Sequence, residues 1–265
     1  MKTNWVPSAF TMGNLFFGYF SVVLSANDKF IQASWLVVAA AVLDALDGKI
    51  ARLAKASSHF GVEYDSLADV VSFGFAPSFL AYKSVFNHWG TVGLFISFAP
   101  LVFGSIRLAR FNIRLKGFDK DHFEGLPIPA AAITIVTFLV FNFEFWGYLR
   151  WEKVFLFIVL VVSVLMVTTV RYETLPDFSL QKDAPNRSRF LIVLIGVILI
   201  IIFPQESFFP LAALFVLSGP VNLFWHLLVD GPSGKSKNMK EIEDESNRQS
   251  DTQKRNSGSS GKSGK

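Results

Sequence analysis

Cysteine is absent from this 265-residue sequence, which excludes disulfide bonds, zinc–thiolate sites and cysteine nucleophiles. Charged residues are also scarce, at 17% of the chain. No basic stretch is interleaved with aromatic residues in the way that is typical of nucleic-acid-binding surfaces. We therefore expect no nucleic-acid partner, although the formal net charge is +4.

Polar residues are missing from several long segments. Hydrophobic residues make up 51% of the sequence, and the mean hydropathy is +0.41. They form blocks such as 154–170 and 190–203, rather than alternating with polar residues at helix or strand period. A helix needs about 20 mostly apolar residues to cross a hydrocarbon core of about 30 Å, and lipid leaves no water for an irregular backbone. The sequence therefore predicts an all-α, polytopic integral membrane protein.

The apolar pattern predicts eight transmembrane helices. The candidate spans cover residues 7–25, 31–52, 65–86, 92–112, 127–147, 153–171, 189–204 and 207–229. After residue 230 the composition changes to Gly, Ser, Lys, Glu, Asn and Gln, which cannot bury enough apolar surface to offset chain entropy. We therefore divide the chain into a transmembrane domain, residues 1–230, and a disordered polar C-terminal tail, residues 231–265.

Basic residues predict the orientation in the membrane. Alternate connections hold most of the lysines and arginines, whereas the opposite set holds only Lys29, Lys83, Arg150 and Lys153. Cytoplasmic loops carry such an excess of positive charge. We therefore expect both termini in the cytoplasm, and the end of span 2 and the start of span 3 near the cytoplasmic face of the cell membrane.

Four aspartates lie at the end of span 2 and the start of span 3. Asp44 and Asp47 are three residues apart, so they lie about 60° apart on one helix face. Asp65 and Asp69 are four residues apart, which leaves them about 40° apart. A short loop makes the two helices antiparallel neighbours, so the four carboxylates can face one another. Such an all-oxygen cluster is suited to Mg²⁺ or Mn²⁺ rather than to zinc.

Small and basic residues accompany the aspartates. Gly48, Ala51 and Gly61 would let the backbone approach a bulky ligand, and Arg52 offers a guanidinium group that can bind phosphate. A single aspartate at a span end is usually only a solvated residue, and a transporter can use carboxylates as a proton relay. Four aspartates at these spacings, with glycine and arginine between them, favour a metal site.

The pattern Asp44-x2-Asp47-Gly48-x2-Ala51-Arg52-x8-Gly61-x3-Asp65-x3-Asp69 resembles the complete signature of the CDP-alcohol phosphotransferase family. The resemblance implies a six-helix core, here with two further spans, and a site for two divalent metal ions that opens to the cytoplasm. It implies that the four aspartates are metal ligands and that Asp69 is also the general base. The residues expected to bind the CDP-linked lipid are Gly48, Ala51, Arg52, Ser58, Gly61, Thr11 and Asn14.

Three further stretches, residues 70–77, 107–112 and 123–131, resemble the phosphatidylserine synthase branch of this family. Arg107 lies inside an apolar block, where an unpaired guanidinium group would be costly. We therefore expect Arg107 to pair with a substrate anion or with an aspartate of the cluster. The candidates for binding the carboxylate of serine are Arg107 and Arg110. The resemblance thus implies transfer of a phosphatidyl group from CDP-diacylglycerol to the hydroxyl of L-serine, with release of CMP, and a homodimer.

Two other functions stay open on the sequence. The same chemistry could act on glycerol 3-phosphate, an inositol phosphate or choline, because the arginines of span 4 would also suit a phosphorylated acceptor. A cation-coupled transporter would show inverted repeats and broken helices at mid-membrane. The sequence has no visible internal repeat, and its aspartates lie at span ends.

Overall fold

The computed structural model describes residues 8–54, 59–115, 125–170, 172 and 195–229. Within these ranges all regular secondary structure is helical, as predicted. The helices are α1 (Ala9–Ala26), α2 (Phe30–Ala54), α3 (His59–Asp69), α4 (Ala76–Ser84), α5 (Gly90–Leu115), α6 (Ile128–Trp146), α7 (Glu152–Val167), α8 (described over 195–202) and α9 (Pro204–Val229). A π-helix, Val70–Phe75, joins α3 to α4, and a 3₁₀ helix, Phe86–Trp89, precedes α5.

Five described segments are long and apolar enough to cross a membrane. They are Ala9–Ala26, Phe30–Ile50, Phe86–Ile113, Ile128–Trp146 and Pro204–Trp225. These segments fit the prediction of a polytopic membrane protein. The predicted span 153–171 corresponds to α7, which has 16 residues, and the predicted span 189–204 is only partly inside the described residues. The predicted tail, 231–265, lies outside them.

The predicted span 65–86 overlaps a helical run, from α3 to α4, that ends at Ser84 and changes its winding just after Asp69. The backbone N–H of Ala76 bonds to the carbonyl of Val71, five residues back, which is the π-helical pattern. Pro77 follows at once, and a proline ring clashes with the carbonyl four residues earlier in a regular α-helix. The wider turn ahead of Pro77 lets the helical run continue past the proline.

The core of the described chain lies where α2, α4, α5, α6 and α7 meet, and aromatic residues fill part of it. The ring of Phe155 lies parallel to the rings of Phe86 and Phe138, with centroids 5.6 and 5.5 Å away. Elsewhere a glycine allows close contact, as membrane helices often require: Gly18 of α1 faces Ser72 of the π-helix. The chain divides into two compact units, one up to Gly219 and one that begins at Pro220.

Candidate metal centre

Three of the four predicted carboxylates converge in the structure. Asp44 belongs to α2, and Asp65 and Asp69 belong to α3. One carboxylate oxygen from each lies within 4.8 Å of the others. Asp69 is only 8% exposed, whereas the other two are half-buried. The four-residue spacing predicted that Asp65 and Asp69 share one face of α3. The structure places both of these carboxylates close to that of Asp44 on α2.

The fourth aspartate, Asp47, lies beside this group and is held by α1. Ser8 donates a hydrogen bond from Oγ to Oδ1 of Asp47 at 2.8 Å, and the Thr11 hydroxyl donates to Oδ2. Ser8 also caps the start of α1, because its Oγ accepts a bond from the Thr11 backbone N–H at 3.0 Å. Both oxygens of Asp47 thus accept a hydroxyl hydrogen bond from the beginning of α1.

Asp69 is likewise joined to α1. The side-chain Nδ2 of Asn14 donates to Oδ1 of Asp69 at 3.0 Å, and both groups are buried. The hydroxyl of Ser72 in turn donates to the backbone carbonyl of Asn14 at 2.9 Å. Helix α1 therefore contacts two of the aspartates through residues that are one turn apart.

The negative charges of this site favour a bound cation. Asp44 and Asp65 both repel the carboxylate of Asp69, and Asp47 repels Asp44 and Asp65. Arg107 of α5 attracts Asp69. The Oδ1 atom of Asp65 is buried and has no hydrogen-bond partner among the described residues. An all-carboxylate donor set with an unpaired buried oxygen fits a hard divalent cation, so these residues could hold Mg²⁺ or Mn²⁺.

The two predicted acceptor-binding arginines have different surroundings. Arg107 is partly buried, and its Nε has no hydrogen-bond partner among the described residues. Arg110 is exposed and donates from Nη1 to the carbonyl of Val167, the last residue of α7. Of the two arginines, Arg107 is the one that attracts Asp69 and has a buried donor without a hydrogen-bond partner among the described residues.

The predicted CDP-lipid-binding residues occupy several places. Gly48 is an exposed residue of α2, and Gly61 lies in the first turns of α3. Ala51 and Arg52 belong to the last turn of α2, where the structure describes the backbone alone, and Ser58 lies outside the described residues. Thr11 and Asn14 both contact aspartates, as described above.

Sequence reasoning missed Ser8 and Ser72 as partners of this site. It also missed Asn112 of α5, whose Nδ2 donates to Ser66 Oγ at 3.0 Å and to Glu63 Oε2 at 3.3 Å. These bonds join α3 to α5 next to the carboxylates. Contacts between helices distant in sequence leave no periodic signal in a single chain, although Asn112 falls within the stretch 107–112.

The fold and the site define a class of protein. It is an all-helical membrane protein in which neighbouring helices bring aspartates together at a candidate cation site. The chain belongs to the CDP-alcohol phosphatidyltransferase family, whose model matches residues 4–165. This confirms the family that the aspartate signature predicted.

Relatives of known name match over most of the chain. A CDP-diacylglycerol–serine O-phosphatidyltransferase from Helicobacter pylori is 40% identical over 215 residues, covering 80% of this chain and 88% of the relative. An archaetidylserine synthase from Methanothermobacter thermautotrophicus is 37% identical and covers 63% of this chain and 69% of its own length. A CDP-diacylglycerol–serine O-phosphatidyltransferase from Mycobacterium bovis is 31% identical over 199 residues, covering 72% of this chain and 68% of the relative.

Proposed function

We propose that this protein transfers the phosphatidyl group of CDP-diacylglycerol to the hydroxyl of L-serine and releases CMP. The observation that carries the proposal is the convergence of Asp44, Asp65 and Asp69 within 4.8 Å, in a chain of the family whose relatives include named serine O-phosphatidyltransferases. Without a bound cation these three carboxylates, of which Asp69 is buried and the other two are half-buried, would repel one another. A divalent metal ion bound there would offset this repulsion and could bind the diphosphate of the substrate.

The proposed reaction is a direct in-line displacement. The serine oxygen forms a new bond to the phosphorus that carries diacylglycerol, and the bond from this phosphorus to the CMP oxygen breaks. Asp69 accepts the proton of the serine hydroxyl, which otherwise has too high a pKa to attack efficiently. A divalent cation, when bound by Asp44, Asp47, Asp65 and Asp69, would neutralise charge on the phosphate oxygens and on the leaving group. No covalent intermediate on the protein is required.

The two substrates would both bind next to the aspartates. We assign the CDP moiety to the end of α2 and the start of α3, near Gly48, Ala51, Arg52, Ser58 and Gly61. The family resemblance also gives Thr11 and Asn14 to the lipid, but in the structure they donate hydrogen bonds to Asp47 and Asp69. We assign the serine carboxylate to Arg107, with Arg110 as a second candidate. The buried, unused Nε of Arg107 and its attraction to Asp69 support the first of these assignments.

The finer topology belongs to the same proposal. We place eight spans in the cell membrane, with both termini and the active site on the cytoplasmic side, a transmembrane domain over 1–230 and a disordered tail over 231–265. The excess of Lys and Arg in alternate connections supports this orientation. We further propose that the protein is a homodimer and uses Mg²⁺ or Mn²⁺.

The test is CMP release by the purified protein with CDP-diacylglycerol, Mn²⁺ or Mg²⁺, and one labelled alcohol at a time. We expect CMP and labelled phosphatidylserine with serine, and neither product from the Asp69→Asn variant. CMP release with glycerol 3-phosphate or an inositol phosphate but not with serine would overturn the acceptor. Absence of CMP with every alcohol would overturn the reaction itself.

A further inference from the structure

Asn14 is fully buried in the middle of α1, yet it makes a polar contact with the acidic site. Its Nδ2 lies 3.0 Å from Oδ1 of Asp69, which is itself only 8% exposed. A hydrogen bond from a neutral donor to a buried carboxylate is stronger than one between neutral groups. The bond therefore restrains the rotation of the Asp69 carboxylate about its last side-chain bond.

The backbone of Asn14 is held as well. Ser72 donates from Oγ to the Asn14 carbonyl at 2.9 Å, and Ser72 lies in the π-helix that follows Asp69 directly. Helix α1 comes this close because Gly18 has no side chain: a Cβ there would lie 2.3 Å from Ser72 Oγ and 2.7 Å from its Cα. Asp69 and the turn after it are thus fixed to the same two turns of α1.

We infer that Asn14 is a positioning residue for Asp69 rather than a contact of the CDP moiety. It occupies one oxygen of Asp69 and so leaves the other oxygen, in a fixed direction, for the acceptor hydroxyl. The inference rests on the proposed function, which gives Asp69 the role of base. A displaced base lowers the rate of proton removal, whereas it leaves binding of the lipid donor almost unchanged.

The rival assignment has its own observation. The Oδ1 atom of Asn14 is buried without a hydrogen-bond partner among the described residues, and it could accept a bond from the donor lipid. The two assignments differ in kinetics, because a residue that binds the donor changes the KM for CDP-diacylglycerol. A positioning residue lowers kcat and kcat/KM together.

The experiment compares Asn14→Ala, Asn14→Asp and Ser72→Ala with the wild-type protein. Asn14→Asp keeps the volume of the side chain but replaces the donor with a carboxylate. Matched controls are Asn142→Ala and Ser25→Ala, since these buried side chains donate to carbonyls of their own helices, Phe138 and Ser21, and to no other group among the described residues. The readouts are kcat, the KM for each substrate, the Kd for CDP-diacylglycerol by titration calorimetry in detergent, and the thermal midpoint.

We expect kcat to fall about tenfold or more for both Asn14 variants and about two- to fivefold for Ser72→Ala, with the donor KM and Kd changed less than about twofold. A raised donor KM or Kd with unchanged kcat would overturn the inference in favour of CDP binding. Equal losses of kcat in Asn142→Ala, or losses that follow the thermal midpoint across all variants, would reduce Asn14 to a packing role. A wild-type protein that releases no CMP with any alcohol would instead overturn the proposed function and this inference together.

Discussion

Arg110 donates a hydrogen bond from Nη1 to the carbonyl oxygen of Val167 at 3.1 Å. Val167 ends α7, and the last carbonyls of a helix have no partner within it. A guanidinium group there also interacts favourably with the helix dipole. Two backbone bonds join the same region to the start of α6, from Gly125 N–H to Val170 and from Leu126 N–H to Leu165. Arg110 therefore stabilises the meeting point of three helices, whereas Arg107 attracts the carboxylate of Asp69.

The two arginines should respond differently to substitution. We expect Arg107→Ala to raise the serine KM about tenfold or more, because a charged group that pairs with a substrate anion would be lost, and to leave the donor KM nearly unchanged. We expect Arg110→Ala to lower the free energy of unfolding by about 1 kcal/mol through loss of the bond to Val167. Substrate titrations and thermal unfolding measure the two effects. An unchanged serine KM in Arg107→Ala would remove Arg107 from the acceptor site.

The acidic group should depend on divalent metal. Chelation with EDTA should abolish CMP release, and added Mn²⁺ or Mg²⁺ should restore it. Asp65→Asn should raise the metal concentration needed for half-maximal activity at least about tenfold, because one charged oxygen ligand is lost. Asp28→Asn is the control, since Asp28 pairs with Lys83 at 3.2 Å, apart from the acidic group. Activity that survives complete chelation would contradict the metal site.

Thr11 should act through Asp47. Thr11→Val removes the hydroxyl that donates to Asp47 Oδ2 but keeps the shape of the side chain. We expect a several-fold rise in the metal concentration for half-maximal activity, because residues that orient metal ligands typically contribute about 10- to 100-fold to metal affinity. Thr137→Val is the matched control, because the hydroxyl of buried Thr137 donates to the carbonyl of Ile133 in its own helix and, within the part of the chain that the structure describes, to nothing else. Equal metal requirements in the two variants would show that Thr11 does not contribute to metal binding.

Gly18 should tolerate no side chain, in contrast to Gly13 of the same helix. A Cβ at Gly18 meets the Cα of Ser72 at 2.7 Å, and this backbone atom cannot move aside without shifting the π-helix. A Cβ at Gly13 meets at 2.7 Å only the end of the Leu43 side chain, which can rotate. We expect Gly18→Ala to cost about 1–3 kcal/mol of unfolding free energy and to reduce kcat as well.

Thermal unfolding and steady-state kinetics of both variants test this expectation. Gly13→Ala should stay within about 1 kcal/mol of wild type, because a rotated Leu43 leaves only a small packing change. Similar losses in the two variants would show that α1 is sensitive to any added methyl group rather than to its contact with Ser72.

The helical content and the acidic pairs were predictable because both depend on local periodicity. Apolar blocks of membrane-spanning length predicted α1, α2 and α6 to within about two residues, and spacings of three and four predicted which aspartates share a face. The π-helix after Asp69 was not predictable from periodicity, since it changes the winding within an unbroken apolar run. Its signal is Pro77, which cannot sit in a regular α-helix without distortion.

The partners of the aspartates were harder to predict. Nothing in the sequence near Asn14 shows that its amide meets Asp69, 55 positions further along the chain. The family resemblance placed Asn14 and Thr11 at the site but assigned them to binding of the CDP-linked lipid, not to the aspartates. Likewise Arg107 and Arg110 were both candidates for the serine carboxylate, and the bond of Arg110 to the end of α7 was not predictable from the sequence.

The contacts of α1 with the carboxylates also bear on how the site is assembled. The hydrogen bonds to Asp47 and Asp69 come from Ser8, Thr11 and Asn14, so the joined groups all lie between residues 8 and 69. Closing loops of this length costs somewhat less chain entropy than closing contacts across the whole chain, by about 0.6 kcal/mol for each halving of the loop. Helices α1 to α3 are synthesised before α5, so the acidic centre and its donors can form during insertion into the membrane. Arg107 joins them only when α5 has been synthesised, so the positive charge at Asp69 arrives after the carboxylates have been brought together.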